Sequence, residues 1–146
     1  MLVASTGGHL AQLLELEPWW GQHRRSWVTF DKADARSSLH GERVVYAHHP
    51  TTRNVPNALR NQRLALRVLR EVRPDLVVSA GAGVALPFFL TARLLRIPTL
   101  YLEVYDRIST KTLTGRMCRP LSSAFCAQWP EQQRLYPGAE LVGPVL

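Results

Sequence analysis

Cysteine is nearly missing from this sequence: Cys118 and Cys126 are the only two in 146 residues. Two thiols cannot staple a domain of this size, and neither sits at metal-ligand spacing. A disulfide scaffold and a structural zinc site are therefore excluded, and the pattern fits a reducing, cytoplasmic environment. Lysine is almost as scarce. Lys32 and Lys111 are the only lysines among eighteen basic residues, which face eleven acidic ones and leave a net charge of +7. That excess favours an anionic partner: lipid headgroups, phosphate or nucleic acid. No nucleic-acid recognition motif accompanies it, nor any basic surface interleaved with aromatics, so no nucleic-acid partner is expected. There is no P-loop and no G-x-S-x-G elbow. His48-His49 precede Pro50 without an acidic or thiol companion, so no metal is expected. The most membrane-like stretch, Leu76 to Ala92, is interrupted by Ser79, Gly81, Gly83 and Pro87 and ends at Arg93. It reads as a buried strand, a turn and a core helix rather than a span, and no signal peptide is expected ahead of the first strand.

What is present is an alternation of apolar strand-like runs and helical patterns. Strands are expected at Leu2–Ser5, Trp27–Phe30, Arg43–Ala47, Asp75–Ala80, Thr99–Val104, Ala124–Gln128 and Glu140–Val142. Helices are expected at His9–Glu17, Asn57–Val72, from the Gly81–Gly83 turn to Leu95, at Thr112–Arg119 and at Pro130–Leu135. Strands alternating with helices imply a Rossmann-like α/β domain over residues 1–146, a parallel sheet with helices on both faces. Ligands of such sheets sit at the carboxyl ends of strands, so the residues after Ser5, Ala80, Val104 and Gln128 are the ones to inspect.

The helix Asn57–Val72 carries Arg60, Arg63, Arg67, Arg70 and Arg73 on one arc and Leu64, Ala65, Val68, Leu69 and Val72 on the opposite one. The arginine arc is either a solvated face or a stripe for anionic lipid, where each charge is worth about 1 kcal/mol.

Four motifs could carry chemistry. Ser5-Thr6-Gly7-Gly8-His9-Leu10 follows the first strand. Two glycines allow close backbone approach, a helix N-terminus offers free N–H groups to a diphosphate, and His9 stands at the mouth as a proton acceptor. The plain alternative is a tight strand-to-helix turn with His9 as a surface residue. The second motif, Gly81-Ala82-Gly83, resembles a dinucleotide fingerprint with Glu103 about twenty residues on. Leu86 replaces its third glycine and it follows the fourth strand, so no cofactor is expected. The third, Leu102-Glu103-Val104-Tyr105-Asp106-Arg107, puts carboxylates and a guanidinium at the ligand edge. Glu103 either binds a hydroxyl or base in a site or pairs with a nearby arginine. The fourth, Thr114-Gly115-Arg116 with Gln128-Trp129, offers hydrogen-bonding groups and a stacking ring for a sugar, or else a structural anchor.

Taken in order, these motifs resemble the asparagine-linked-glycosylation-fourteen family and its bacterial PssD and CpsF type relatives in exopolysaccharide and capsule synthesis. The resemblance runs from Ser5-Thr6-Gly7-Gly8-His9-Leu10 through Arg73-Pro74-Asp75, Tyr101-Leu102-Glu103, Arg107, Leu113-Thr114-Gly115-Arg116, Gln128-Trp129 and Tyr136-Pro137 to Val142-Gly143-Pro144. It is more distant to the N-terminal, acceptor half of the peptidoglycan glycosyltransferase MurG, a GT-B enzyme. The resemblance implies the acceptor-binding subunit of a split, inverting glycosyltransferase. A donor-binding partner subunit, the other GT-B half, would hold the UDP-sugar, and the acceptor would be a lipid-diphosphate-linked sugar. His9 and Glu103 become the candidate catalytic groups, with His9 favoured as base and Glu103 as acceptor-sugar ligand. Gly7, Gly8, Arg107, Thr114, Gly115, Arg116 and Gln128 become acceptor or phosphate ligands. Arg60, Arg63, Arg67 and Arg70 become contacts to an anionic membrane, placing the protein peripherally on the cytoplasmic face of the cell membrane. The family's eukaryotic members carry an N-terminal membrane anchor, which is not expected here. The chain is also expected to stop where a donor domain would begin. The alternative is a noncatalytic membrane-recruitment subunit whose partner supplies all the chemistry.

Overall fold

The computed structural model describes residues 1–145; Leu146 lies outside them. Seven strands form one sheet in the order β3-β2-β1-β4-β5-β6-β7. They are β1 (Leu2–Val3), β2 (Trp27–Phe30), β3 (Val44–Ala47), β4 (Val77–Ser79), β5 (Thr99–Leu102), β6 (Ala124–Ala127) and β7 (Glu140–Leu141). Every neighbouring pair is parallel. The α/β fold expected from the sequence is the one observed, and the order reverses between β1 and β4. In an open parallel sheet that reversal splays the following loops apart and opens a crevice at the carboxyl edge.

The strands sort their side chains by the two-residue period of the pleat. Leu2, Ala4, Trp27, Val78 and Ala80 join a layer with Leu10 and Leu13 of α1 (Gly8–Leu14), Trp20 of α2 (Glu17–Trp20) and Ala35 of α3 (Ala33–Ser38). Val3, Val28, Phe30, Val77, Tyr101 and Phe125 face the other way. They meet Leu64, Ala65, Val68 and Leu69 of α4 (Val55–Val72) and Ala85, Phe88, Phe89 and Ala92 of α5 (Ala85–Leu94). The remaining helices are α6 (Leu113–Cys118), continued by a 3-10 turn at Arg119–Leu121, and α7 (Pro130–Leu135).

Differences from the sequence reading have local causes. Helix α4 starts two residues early because Asn54 accepts the Asn57 N–H at 3.0 Å and Pro56 fits the first turn. The first helix breaks at Leu14 and resumes at Glu17, where Pro18 tolerates only a helix start. Thr112 is not within α6 but caps it, accepting from Gly115 N–H at 2.9 Å. Helix α3 was not expected, since its six residues Ala33–Ser38 carry no apolar period long enough to read.

Phe88 is fully buried where α5 meets the sheet. Phe88→Ala is expected to cost about 3–5 kcal/mol by leaving a cavity. Urea unfolding should show a lower midpoint with an unchanged slope.

Candidate functional site

The loops after β1, β4, β5 and β6 lie side by side because those four strands are consecutive in the sheet. They contain Gly7-Gly8-His9, Gly81-Ala82-Gly83, the segment 103–112 and Gln128-Trp129. The structure thus gathers at one edge the motifs that lie more than a hundred residues apart in sequence.

His9 sits at the second residue of α1 and is half-buried. Its Nδ1 lies 2.9 Å from the carbonyl oxygen of Ala80. A carbonyl can only accept, so Nδ1 carries the proton and Nε2 is left with a free lone pair in the neutral ring. The imidazole therefore links the loops after β1 and β4 where the strand order reverses. Gly81 makes room for it. With φ at +113°, this residue adopts a backbone that other residues rarely reach, and a Cβ there would stand 2.9 Å from Tyr101 Oη and 3.3 Å from His9 Cε1. Next to it Ala82 holds φ at +66°, a left-handed conformation that costs an L-residue about 1–2 kcal/mol.

Gly7, at φ +72°, turns the chain into α1, and its N–H donates to Asp34 Oδ2 at 2.8 Å. One amide of the expected anion cradle is thus already answered by a carboxylate from α3. Gly8 is exposed, with open space around its Cα.

Glu103 is fully buried and turned inward. Its carboxylate accepts from Thr112 Oγ1 at 2.9 and 3.1 Å, and from Val104 N–H at 3.1 Å. Solvent does not reach it and no arginine pairs with it among the described residues, so its side-chain partner there is Thr112, the cap of α6. The buried Tyr136 hydroxyl stands in the same pocket without a well-aligned partner. Burial, and then the neighbouring Glu103 charge, push the Tyr101 hydroxyl well above its usual range and raise the Cys118 thiol to about 12. Burial and Glu103 raise Tyr136 as well. These groups stay protonated at any physiological pH and are inert as nucleophiles.

Gln128 is buried and committed to the fold. Its Nε2 donates to Glu103 O at 2.8 Å, and its Oε1 accepts from Val145 N–H at 2.8 Å. Gln132, which the sequence did not single out, accepts from Gln128 N–H at 2.8 Å and donates to Val104 O at 2.5 Å. Its position four residues after Gln128, on the first turns of α7, was the available signal. Trp129 donates from Nε1 to Tyr105 O at 2.7 Å. Thr114 is half-buried, whereas Arg107 and Arg116 are exposed and form no ion pair among the described residues. Arg60, Arg63, Arg67 and Arg70 are all exposed. The first three line a cleft of about 340 Å³ with His48 and Leu64, and Arg70 lies outside it.

Gly115 is the tightest point of the site. A Cβ there would clash with Glu103 Oε2 and stand 2.6 Å from Tyr136 Oη. Gly115→Ala is expected to destabilise the protein by about 1–3 kcal/mol through overpacking. Gly8→Ala, in open space at a helix start, should be neutral or slightly stabilising. Thermal unfolding of the two variants distinguishes these outcomes.

The chain matches the family described as "Oligosaccharide biosynthesis protein Alg14 like" over residues 1–145. It is 24% identical to the human UDP-N-acetylglucosamine transferase subunit ALG14, covering all of this chain and 82% of the human protein. Over 84 residues it is 30% identical to the UDP-N-acetylglucosamine--N-acetylmuramyl-(pentapeptide) pyrophosphoryl-undecaprenol N-acetylglucosamine transferase of Syntrophotalea carbinolica. That match takes in 58% of this chain and only 23% of the longer enzyme. Among solved structures, Acinetobacter baumannii MurG superimposes with a TM-score of 0.77 at 22% identity, over 97% of this chain and 43% of that one. The UDP-GlcNAc 2-epimerase of Methanocaldococcus jannaschii superimposes at 0.72 and 18% identity, over 95% and 43%. At these identities the structural likenesses speak for the fold alone, a Rossmann-like α/β unit that matches 43% of each of those longer chains. The parallel seven-stranded sheet, the ordered motifs along its carboxyl edge and the match over residues 1–145 together show that this chain belongs to the Alg14-like family of oligosaccharide biosynthesis proteins.

Proposed function

We propose that this chain is the acceptor-binding subunit of a split, inverting glycosyltransferase, acting on a lipid-diphosphate-linked sugar. A separate donor-binding subunit supplies the UDP-sugar. The single observation that carries the reading is His9 at the carboxyl edge where the strand order reverses, with Nδ1 bound to Ala80 O and Nε2 without a partner among the described residues. An inverting transfer needs a base to take the proton of the acceptor hydroxyl as that oxygen attacks the anomeric carbon, and an imidazole held in place through Nδ1 is suited to the task. The name of the human relative, a UDP-N-acetylglucosamine transferase subunit, supports both the reaction class and the need for a second subunit.

The other expected residues divide by accessibility. Arg107 and Arg116 are exposed on the segment after β5, suited to the acceptor's diphosphate, and Gly8 offers a free backbone approach. Because Asp34 already holds the Gly7 amide, Gly7 acts by shaping the turn. Glu103, Gly115 and Gln128 act by holding α6 and the loop after β5 in place, so the acceptor-sugar role first expected of Glu103 passes to groups on the rim such as Thr114. The burial of Glu103 and Gln128 also favours a second reading, in which this subunit only positions the acceptor and the partner supplies the chemistry.

Activity should appear only when this chain is combined with a donor-binding subunit, since half a cleft cannot place both substrates for attack. In that complex His9→Ala should reduce turnover by about 10²–10⁴-fold without loss of subunit assembly. Turnover at the wild-type level would leave the positioning-only reading standing.

No helix among the described residues is long and apolar enough to cross a membrane. We assign membrane contact, on the cytoplasmic face, to the exposed ladder of Arg60, Arg63, Arg67 and Arg70 together with the exposed Leu90 and Leu94. In co-sedimentation with vesicles containing anionic lipid, wild type should bind and be released by salt. A variant with all four arginines changed to Gln should stay mostly unbound. Equal sedimentation of the two would show that the ladder is a solvated face.

A further inference from the structure

A cavity of ligand size lies at the opposite end of the sheet from His9. It encloses about 660 Å³ among the amino ends of β1, β2, β3 and β4 and the turns that lead into them. Parallel sheets ordinarily bind ligands at the carboxyl edge, so a cavity of ligand size here is unusual. Its charge is one-sided. Arg24, Arg25, Arg43 and Arg73 line it, and Asp75 is its one acidic lining residue. These arginines come from three separate segments: the turn after α2, the entry to β3, and the end of α4.

Arg25 is held in place. It pairs with Glu42 at 2.5 Å, stacks 4.6 Å over the Trp20 ring, and keeps a buried Nε that donates to no acceptor among the described residues. Arg24, Arg43 and Arg73 are exposed and form no ion pair among those residues. Arg73 ends α4 with φ at +47°, a left-handed residue followed by Pro74. Helix carboxyl ends bring a partial negative charge of about half an elementary charge each, which attracts basic residues by itself. Three guanidinium groups without an ion pair among the described residues exceed what the ends of α2 and α4 require. Beside them Trp19, 43% exposed, offers a ring face.

We propose that this cavity is a second ligand site, one that binds a phosphate-bearing small molecule through Arg24, Arg43 and Arg73, with Trp19 as a platform for the rest of the ligand. The site is independent of the acceptor crevice, from which the sheet separates it. A nucleotide and a phospholipid headgroup share the required chemistry.

Isothermal titration of the purified protein at low salt, with inorganic pyrophosphate, UDP and monomeric dihexanoyl phosphatidic acid as separate probes, tests the site. At least one probe should bind saturably. Arg24→Gln combined with Arg43→Gln should weaken that binding by at least about tenfold, the loss expected from removing charge-assisted hydrogen bonds. Arg73→Asn should do the same while keeping a residue that tolerates the left-handed backbone. Arg107→Gln with Arg116→Gln, on the far edge, removes any binding of these probes at the acceptor site and should leave intact the component that depends on Arg24, Arg43 and Arg73. Tightest binding by UDP identifies a nucleotide site, and tightest binding by phosphatidic acid a headgroup site; either supports the proposal. The proposal is overturned if no probe binds, if binding survives the cavity substitutions in variants whose circular dichroism is native, or if only the far-edge pair weakens it.

Discussion

The hydrogen bond from His9 Nδ1 to Ala80 O is the contact on which the candidate site depends. Its net worth to stability is small, about 0.5–1.5 kcal/mol. Its geometric worth is larger, because it fixes the tautomer of the ring and ties the loop after β1 to the loop after β4. Those loops flank the place where the strand order reverses, the one position in such a sheet where a crevice opens by topology. Gly81, at φ +113°, lets the ring and Tyr101 Oη approach the same backbone, and Ala82 accepts a left-handed conformation beside it. Local strain of this kind persists only where the surrounding fold over-determines it. Here the surroundings are the packed α5 and the buried ends of β4 and β5.

A second network supports the first from below. Glu103, Thr112, Gln128 and Gln132 bind one another, the backbone after β5 and the cap of α6. A buried carboxylate with only hydroxyl and amide partners is costly unless those partners are fixed. That explains why Gly115 must lack a side chain, and why neighbouring tyrosines and Cys118 stay protonated. The network gives the segment 105–111 two rigid ends and anchors α6, so Arg107 on the segment and Arg116 on the helix are displayed from a defined frame while themselves remaining solvated.

Much of this was legible in the sequence because it rests on short-range rules. The strand-helix alternation fixes the parallel sheet, the arginine and leucine arcs of α4 follow from 3.6 residues per turn, and Gly7-Gly8-His9 announces itself as a turn with a titratable group. What was not legible depends on contacts between distant segments. Glu103 reads as a ligand when only its strand is considered; its burial depends on Thr112 nine residues later and on Gly115 opening space for its oxygen. Gln128 reads as a sugar ligand from the sequence, which could not show that Val145 N–H and the Glu103 carbonyl meet both ends of its amide. Asp34 could not be foreseen at the Gly7 amide, since α3 is too short to show a period. The cavity at the amino edge is assembled from arginines in three segments whose proximity exists only in the folded chain.

The central claim is that the acceptor hydroxyl meets the free Nε2 of His9. Long-range nitrogen–proton NMR of the imidazole, recorded while the labelled protein is titrated with a short-chain polyprenyl diphosphate sugar, reads this directly. The account predicts that Nδ1 stays protonated throughout, that the Nε2 resonance moves on saturation, and that the amides of Gly8, Gly81 and the segment 105–111 move with it. An acceptor that saturates the protein while the His9 ring and these amides keep their free-state resonances would contradict it.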